Sequence, residues 1–293
     1  MQKIINRIDA VLIPPDATIT QLKHEEDDAL YGVWKIDTGN EKYILKEAKE
    51  QEADLYSTVL SLAKTSVPAL LQVITADEKT YLLMEYIPGE DLCRCNRVKL
   101  TYALDSLIEL QKSTWNMAES GHLTGSFDRS LQGRQNRGKY LKDALLEKAY
   151  EEFLQVYQSV PKALCHDDLL PFNILCDREK AYLIDWECGG ILPYPTAFAR
   201  LIAHAEEKEA ALFYMAEADR QFAIDYYFEH LLKEKGISYP QWQKTLDYFL
   251  FYEYCEWVYV GNKFDATDGE YYQKYLPMAK QQAVKLLKES ISY

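Results

Sequence analysis

Long apolar runs are missing from this 293-residue sequence. The longest aromatic and apolar stretch, Tyr248 to Val260, is broken by Glu253 and Glu256. Met1 to Ala10 mixes charges with apolar side chains and leads into no small-residue cleavage site. Neither membrane insertion nor export is indicated, so a cytoplasmic protein with no membrane partner is expected. Cysteine is scarce as well, with 6 residues and no C-x-x-C spacing. Cys93, Cys95, Cys165, Cys176 and Cys188 stand in or beside apolar segments and read as reduced, largely buried thiols rather than a disulfide framework. Basic charge is in deficit: 33 Lys and Arg against 46 Asp and Glu leave −13. Phosphate-backbone neutralisation then has no supplier, which excludes nucleic acid as the expected partner and favours a cationic or metal-bound one. With 12 Gly and 10 Pro and no low-complexity tract, fibrous and disordered classes are also out.

What is present fits two lobes, since 293 residues exceed one ordinary core. Ala29 to Asp37 and Lys42 to Ala48 are apolar-aromatic runs around Thr38-Gly39-Asn40. Leu70 to Thr75 and Thr80 to Ile87 repeat that pattern around residues 76–79, and Glu52 to Leu62 between them has helical spacing. Pro88-Gly89 ends this strand-rich part. The remainder reads as helices over Leu100 to Met117, Gly138 to Tyr157, Thr196 to Tyr214, Ala218 to Lys233, Pro240 to Val260 and Glu270 to Glu289. A loop with two short strands, His166 to Ile184, interrupts them. The expected division is residues 1–87 and 88–293, with a hinge near 85–91.

The interruption carries the chemistry. In His166-Asp167-Asp168-Leu169, Pro171 prevents a regular helix before Asn173, which opens one strand, while Asp185 ends the next. Such a hairpin puts Asn173 and Asp185 side by side. Two oxygen ligands for a hard cation beside a free carboxylate are what magnesium-assisted phosphoryl transfer needs. Gly133 to Lys139 also fits G-x-x-x-x-G-K, but Tyr140 replaces the required Ser or Thr and no strand leads in, so it reads as a basic loop opening the Gly138 helix.

At residues 166–173 and 184–187 the chain resembles the aminoglycoside phosphotransferase and choline kinase family, small-molecule relatives of the protein kinases. Its loop reads His-Gly-Asp-Leu-x-x-x-Asn and its metal motif Ile-Asp-Trp, here His166 to Asn173 and Ile184-Asp185-Trp186-Glu187. The resemblance implies an α+β, two-lobed, protein-kinase-like fold: a small antiparallel-sheet lobe with one helix, then a larger helical lobe. It implies ATP or GTP and Mg2+ as cofactors. Asp168 is the implied base, His166 its brace, Asn173 and Asp185 the metal ligands. Lys46 is the implied phosphate lysine, with Glu52 its partner while Glu47 and Glu50 compete. Glu85, Tyr86 and Ile87 form the implied adenine hinge. The likeness runs from about residue 20 to 205.

Three departures stand out. Asp167 replaces the family's Gly, so Asp167→Gly is expected to be tolerated. No glycine-rich loop joins the first strands. Ala197 stands where an Asp usually supports the catalytic loop. For the acceptor, Glu253, Glu256 and Trp257 on one helix, with Glu187, Asp265 and Asp268, suggest an acidic, aromatic pocket for a cationic small molecule. The expected reaction is γ-phosphoryl transfer to a hydroxyl, with an aminoglycoside, and hence antibiotic resistance, as first expectation. Choline, ethanolamine or another metabolite is the alternative. A protein kinase is disfavoured, because no Ala-Pro-Glu follows Asp185. The reading from another class is a nucleotide-binding pseudokinase.

Overall fold

The computed structural model describes residues 16–23, 30–60 and 66–290, with residues 4, 7, 8, 13 and 14 before them. The first part is a five-stranded antiparallel sheet of β1 (Thr18–Lys23), β2 (Leu30–Asp37), β3 (Lys42–Ala48), β4 (Leu70–Ala76) and β5 (Lys79–Glu85), in the order β1-β2-β3-β5-β4. The two expected hairpins are present, and β1 is an addition that the sequence pattern did not single out. Gly39, at φ 85°, makes the first turn, where Asp37 accepts its N–H at 2.9 Å. Asp77 and Glu78, both at positive φ, make the second. Helix α1 (Glu50–Ser57) follows β3 with Glu50 and Glu52 in its first turn, where acids complement the helix dipole. The helix ends at Ser57, with Thr58 already out of helical geometry, so it is shorter than expected; residues 61 and 62 of the expected helix lie outside the described residues.

Gly89 marks the crossing into the helical lobe. A Cβ there would lie 2.5 Å from the Cys176 carbonyl, so only glycine lets β6 (Glu90–Asp91) pair with β8 (Ile174–Cys176). Helix α2 (Arg97–Ser113) starts at Asn96, whose side chain accepts from the N–H groups of Val98 and Lys99. Then come α3 (Ser126–Gly138) and α4 (Ala144–Ser159), the latter capped by Asp143. The basic loop expected at residues 133–139 is therefore the last turns of a separate helix, and the next one begins six residues later than expected. Strand β7 (Lys162–His166), β8, β9 (Ala181–Leu183) and β10 (Gly189–Pro193) precede α5 (Pro195–Ala203). Helix α6 (Glu217–Tyr227) runs into a π turn, Phe228–Leu232, and α7 (Tyr239–Lys263) and α8 (Glu270–Ser290) close the lobe. The segment expected as one helix to Tyr214 stops at Ala203, and residues 204–216 form turns and bridges.

The α7 N-terminus carries a Ser238/Gln241 capping box with Pro240 in the first turn. Its inner face packs Tyr252 flat on Phe153 of α4, with centroids 4.9 Å apart, and Phe249 edge-on to the same ring. Among the described residues no helix is long and apolar enough to cross a membrane. All six cysteines are free; four are buried, Cys93 is half-buried, and Cys188 is exposed, contrary to the expectation for it.

Candidate active site

The site is held by a strand pair at its ends. His166, last in β7, pairs with Gly189, first in β10, so everything between is one closed loop. A Cβ on Gly189 would meet Leu55 of α1 at 2.6 Å, so this glycine also lets α1 seat against the loop. Inside, β8 and β9 form the expected hairpin in the register Ile174 to Leu183. Asn173 closes a 3-10 turn just before β8, and Asp185 follows β9 by two residues. The Ile184 N–H donates to the Asn173 carbonyl at 3.0 Å, which sets the two metal-ligand candidates beside one another.

His166 is fully buried, and its ring ties the two ends of this arrangement. Nδ1 accepts the Asp168 N–H at 3.2 Å, so Nε2 must carry the proton that it donates to the Ile184 carbonyl at 2.7 Å. Burial depresses its basicity, more than the Ile184 carbonyl and the nearby carboxylates restore it, so the ring is a neutral brace. Asn173 spends its amide N–H on the Asp168 carbonyl at 2.8 Å and presents its oxygen outward from that bond. Asp185 sits in the left-handed region at φ 64°, ψ 60°, a conformation costing a non-glycine residue about 1 kcal/mol. One of its oxygens takes Lys46 Nζ at 2.5 Å, and Lys46 reaches Glu52 at 2.7 Å. Among Glu47, Glu50 and Glu52, it is thus Glu52 that meets the lysine; Glu47 pairs with Lys79. Burial pulls the Lys46 ammonium down, but the two carboxylates outweigh it, and its pKa is raised. At the hinge, Glu85 exchanges two hydrogen bonds with Ala69, Tyr86 lies under the Lys35 ammonium at 5.0 Å, and Ile87 is buried.

The acceptor side departs from expectation because three arginines occupy it. Arg200 of α5 places Nε and a terminal nitrogen on one oxygen of Asp168, at 3.1 and 2.8 Å. Its other terminal nitrogen bonds Glu253 at 2.9 Å, and His204 approaches the same Glu253 oxygen at 3.3 Å. Burial pushes the Glu253 carboxyl up, yet Arg200 and His204 more than reverse this and bring it down to about 2. Glu253 is therefore committed inside the protein rather than offered to an acceptor, and its placement among substrate residues is corrected. Asp167 is gripped through both oxygens by Arg134, at 2.6 and 3.1 Å. That guanidinium is 1% exposed and sandwiched between the Tyr157 and Tyr252 rings, each 4.6 Å away. The expected tolerance of Asp167→Gly does not survive this geometry, since a buried cation would lose its counter-ion.

Glu256 pairs with Arg137 at 3.1 Å through one oxygen; its other oxygen, Oε1, is buried without a hydrogen-bond partner, as is the Trp257 indole nitrogen. Burial raises the Glu256 carboxyl to about 7, and Arg137 brings it back only part of the way. Trp257 stacks on Tyr271 at 4.3 Å and lies parallel to Tyr275 at 6.0 Å. Glu187 pairs with Lys49, joining the two lobes. Asp265 does not join this group. It is exposed in the turn beyond α7, at φ 53°, and among the described residues it makes no hydrogen bond or ion pair with the other candidates; Asp268 lies three residues further still. Sequence reasoning passed over Arg134, Arg137 and Arg200. Arg200 had a visible signal as the one charged residue in a helix whose other members are all buried.

The fold agrees with comparison to known proteins. The chain matches the phosphotransferase enzyme family (APH) over residues 25–231 and belongs to that family. Protein LicA of Haemophilus influenzae is 27% identical over 154 residues, 51% of this chain and 54% of LicA; the chain thus spans about half the length of the curated relatives it matches. Among solved structures, choline kinase LicA from Streptococcus pneumoniae superposes with a TM-score of 0.62 at 16% identity, covering 97% of this chain and 99% of that one. A thermostable mutant of aminoglycoside phosphotransferase APH(4)-Ia, in a ternary complex with ADP and hygromycin B, gives 0.53 at 13% identity, covering 92% and 93%. The protein-kinase-like fold expected from the sequence is thereby established.

Proposed function

We propose that this protein is an ATP-dependent kinase for a small monocationic amino-alcohol of the choline and ethanolamine type, acting across lobes that divide near residues 87 and 88. The observation that carries the substrate class is the lone unpartnered Glu256 oxygen beside the Trp257–Tyr271 stack. One free carboxylate oxygen and an aromatic face suit one ammonium group. An aminoglycoside, with several ammonium groups, would need several free carboxylates, and Arg134 has engaged Asp167, Arg200 has engaged Asp168 and Glu253, and Lys49 has engaged Glu187. The likeness to choline kinases supports the same choice.

In this reading the adenine edge meets the backbone at Glu85, Tyr86 and Ile87, and Lys46, held by Glu52, grips phosphate. The Asn173 amide oxygen and Asp185 fit a Mg2+ ion, which would neutralise charge on the phosphates; an amide oxygen and a carboxylate are the hard donors it takes. Asp168 takes the proton of the acceptor hydroxyl on its free oxygen as that hydroxyl attacks the γ-phosphorus and the bond to ADP breaks. An acceptor panel of choline, ethanolamine, thiamine, kanamycin and hygromycin B, read by ADP release, tests the class. Choline or ethanolamine is expected to have the highest kcat/KM, and preference for an aminoglycoside would overturn the reading. A nucleotide-binding pseudokinase would instead show magnesium-dependent thermal stabilisation by ATP and no acceptor-stimulated ADP.

A further inference from the structure

We propose that Arg200 is a positioning residue for the catalytic base, holding the Asp168 carboxylate in the one rotation that leaves its second oxygen facing the acceptor hydroxyl. The proposal rests on Asp168 being the base. An aspartate carboxylate turns about a broad, weakly preferred terminal torsion, so an unpartnered one samples many orientations. Here both Arg200 donors converge on Oδ1, at 3.1 and 2.8 Å, and no described residue donates to Oδ2. The division is asymmetric: one oxygen is anchored, the other is left for chemistry.

The anchor is itself built. Arg200 extends from α5, whose remaining residues are all buried, so its backbone is fixed by packing. Glu253, 3% exposed, holds the far side of the guanidinium at 2.9 Å. His204, one turn further along the chain, touches both Arg200 and Glu253 at 3.3 Å, and its Nδ1 meets the Tyr275 hydroxyl of α8 at 2.9 Å. Tyr275 is 1% exposed. A row of groups, buried at Tyr275, His204 and Glu253 and half-buried at Arg200, therefore runs from α8 through α7 and α5 to Asp168, and every member between its ends has contacts on both sides. Glu253 balances the charge of Arg200, so the cation can be retained beside the base. This also accounts for how the loop is supported with Ala197 where the resemblance expects an aspartate: the support comes from an arginine three residues on.

The test measures ADP formation from ATP with Mg2+ and choline in the full chain. ADP counts transfer to any acceptor, water included, so a wrong choice of alcohol does not void the comparison. Arg200→Met is expected to lower kcat by about 10- to 100-fold, the scale of a misplaced reacting group, while KM for ATP stays within about twofold. Arg200→Lys, which keeps the charge but not the fork, is expected to recover part of the loss; it also serves as the informative variant if Arg200→Met fails to fold. In an Asp168→Asn background, Arg200→Met is expected to cost nothing further in kcat, because the group it positions is gone. A purely structural role predicts the opposite: lowered Tm, a kcat loss that persists in the Asp168→Asn background, and no rescue by lysine. That pattern would overturn the proposal. If Asp168→Asn alone kept the parent kcat, the base assignment would fall, and this proposal with it.

Discussion

The two walls of the cleft carry similar residues in opposite balance. On the nucleotide side one lysine, Lys46, faces two carboxylates, Glu52 and Asp185. On the acceptor side four carboxylates, Asp167, Asp168, Glu253 and Glu256, meet three arginines. In the proposed function the first wall would turn its ammonium to a polyphosphate and its exposed carboxylate to a cation, so its partners would be exchangeable. The second wall is built of guanidinium contacts: Arg134 is fully buried and forks onto both oxygens of Asp167, and Arg200 spans Asp168 and Glu253. Charge counting along a sequence treats the walls alike; pairing separates them, one lysine between two carboxylates against three arginines among four.

Removing the proposed base, on the acceptor wall, should have the largest effect. Asp168→Asn is expected to cut kcat by about 10²- to 10⁴-fold with a nearly unchanged Tm, measured by ADP release and thermal melting. Next is Asp167→Gly, which strips the counter-ion from a guanidinium that is 1% exposed. Urea denaturation should show about 3 kcal/mol of lost stability, and stability equal to the parent would mean that Arg134 finds another partner or water.

On the exchangeable wall the effects are milder. Glu52→Gln leaves Lys46 with Asp185 alone, so KM for ATP should rise about tenfold with kcat changed much less. A drop in Tm as large as that of Asp167→Gly would place Glu52 in the scaffold instead, and the contrast between the walls would fail.

The smallest expected effect concerns pH. Glu256, raised from 4.5 to about 7 in the folded chain, binds its proton more tightly than the unfolded chain does. Its contribution is fully present below about pH 4.5 and is lost as pH rises through about 7. Glu256→Gln should therefore flatten the parent's decline in stability between those values, leaving the variant better placed at pH 8 than at pH 5 relative to the parent, as read by urea denaturation at the two pH values. Glu253 runs the other way. Held at about 2, it stabilises above pH 4.5, and its contribution is lost as pH falls through about 2, so Glu253→Gln should cost most at neutral pH.

These walls also differ in how far the amino-acid order reveals them. The loop from His166 to Asp185 was legible because its chemistry depends on local geometry: a proline that stops a helix, a turn, and a short hairpin whose register follows from chain length. Lys46 and Glu52 came from the family resemblance, which left Glu47 and Glu50 in competition until the structure paired Lys46 with Glu52 at 2.7 Å. The arginines were not legible. Arg200 lies 32 residues from Asp168, and Arg134 lies 33 residues from Asp167. No periodicity links such pairs; only the packing of α3, α5 and α7 under the loop does. Glu253 and Glu256, three apart on one helix, were correctly placed on one face, but whether that face was open or filled depended on residues from other helices.

The central claim is that this cleft moves a phosphoryl group from ATP to the hydroxyl of a small cationic alcohol. Phosphorus-31 NMR of the full chain with ATP, Mg2+ and choline tests it most directly. The account expects the γ-phosphate signal of ATP to fall as ADP and a phosphomonoester of choline rise in equal amounts, with no such product from Asp168→Asn. ATP that persists unchanged, or that yields only inorganic phosphate while an aminoglycoside in a parallel sample is phosphorylated, would contradict it.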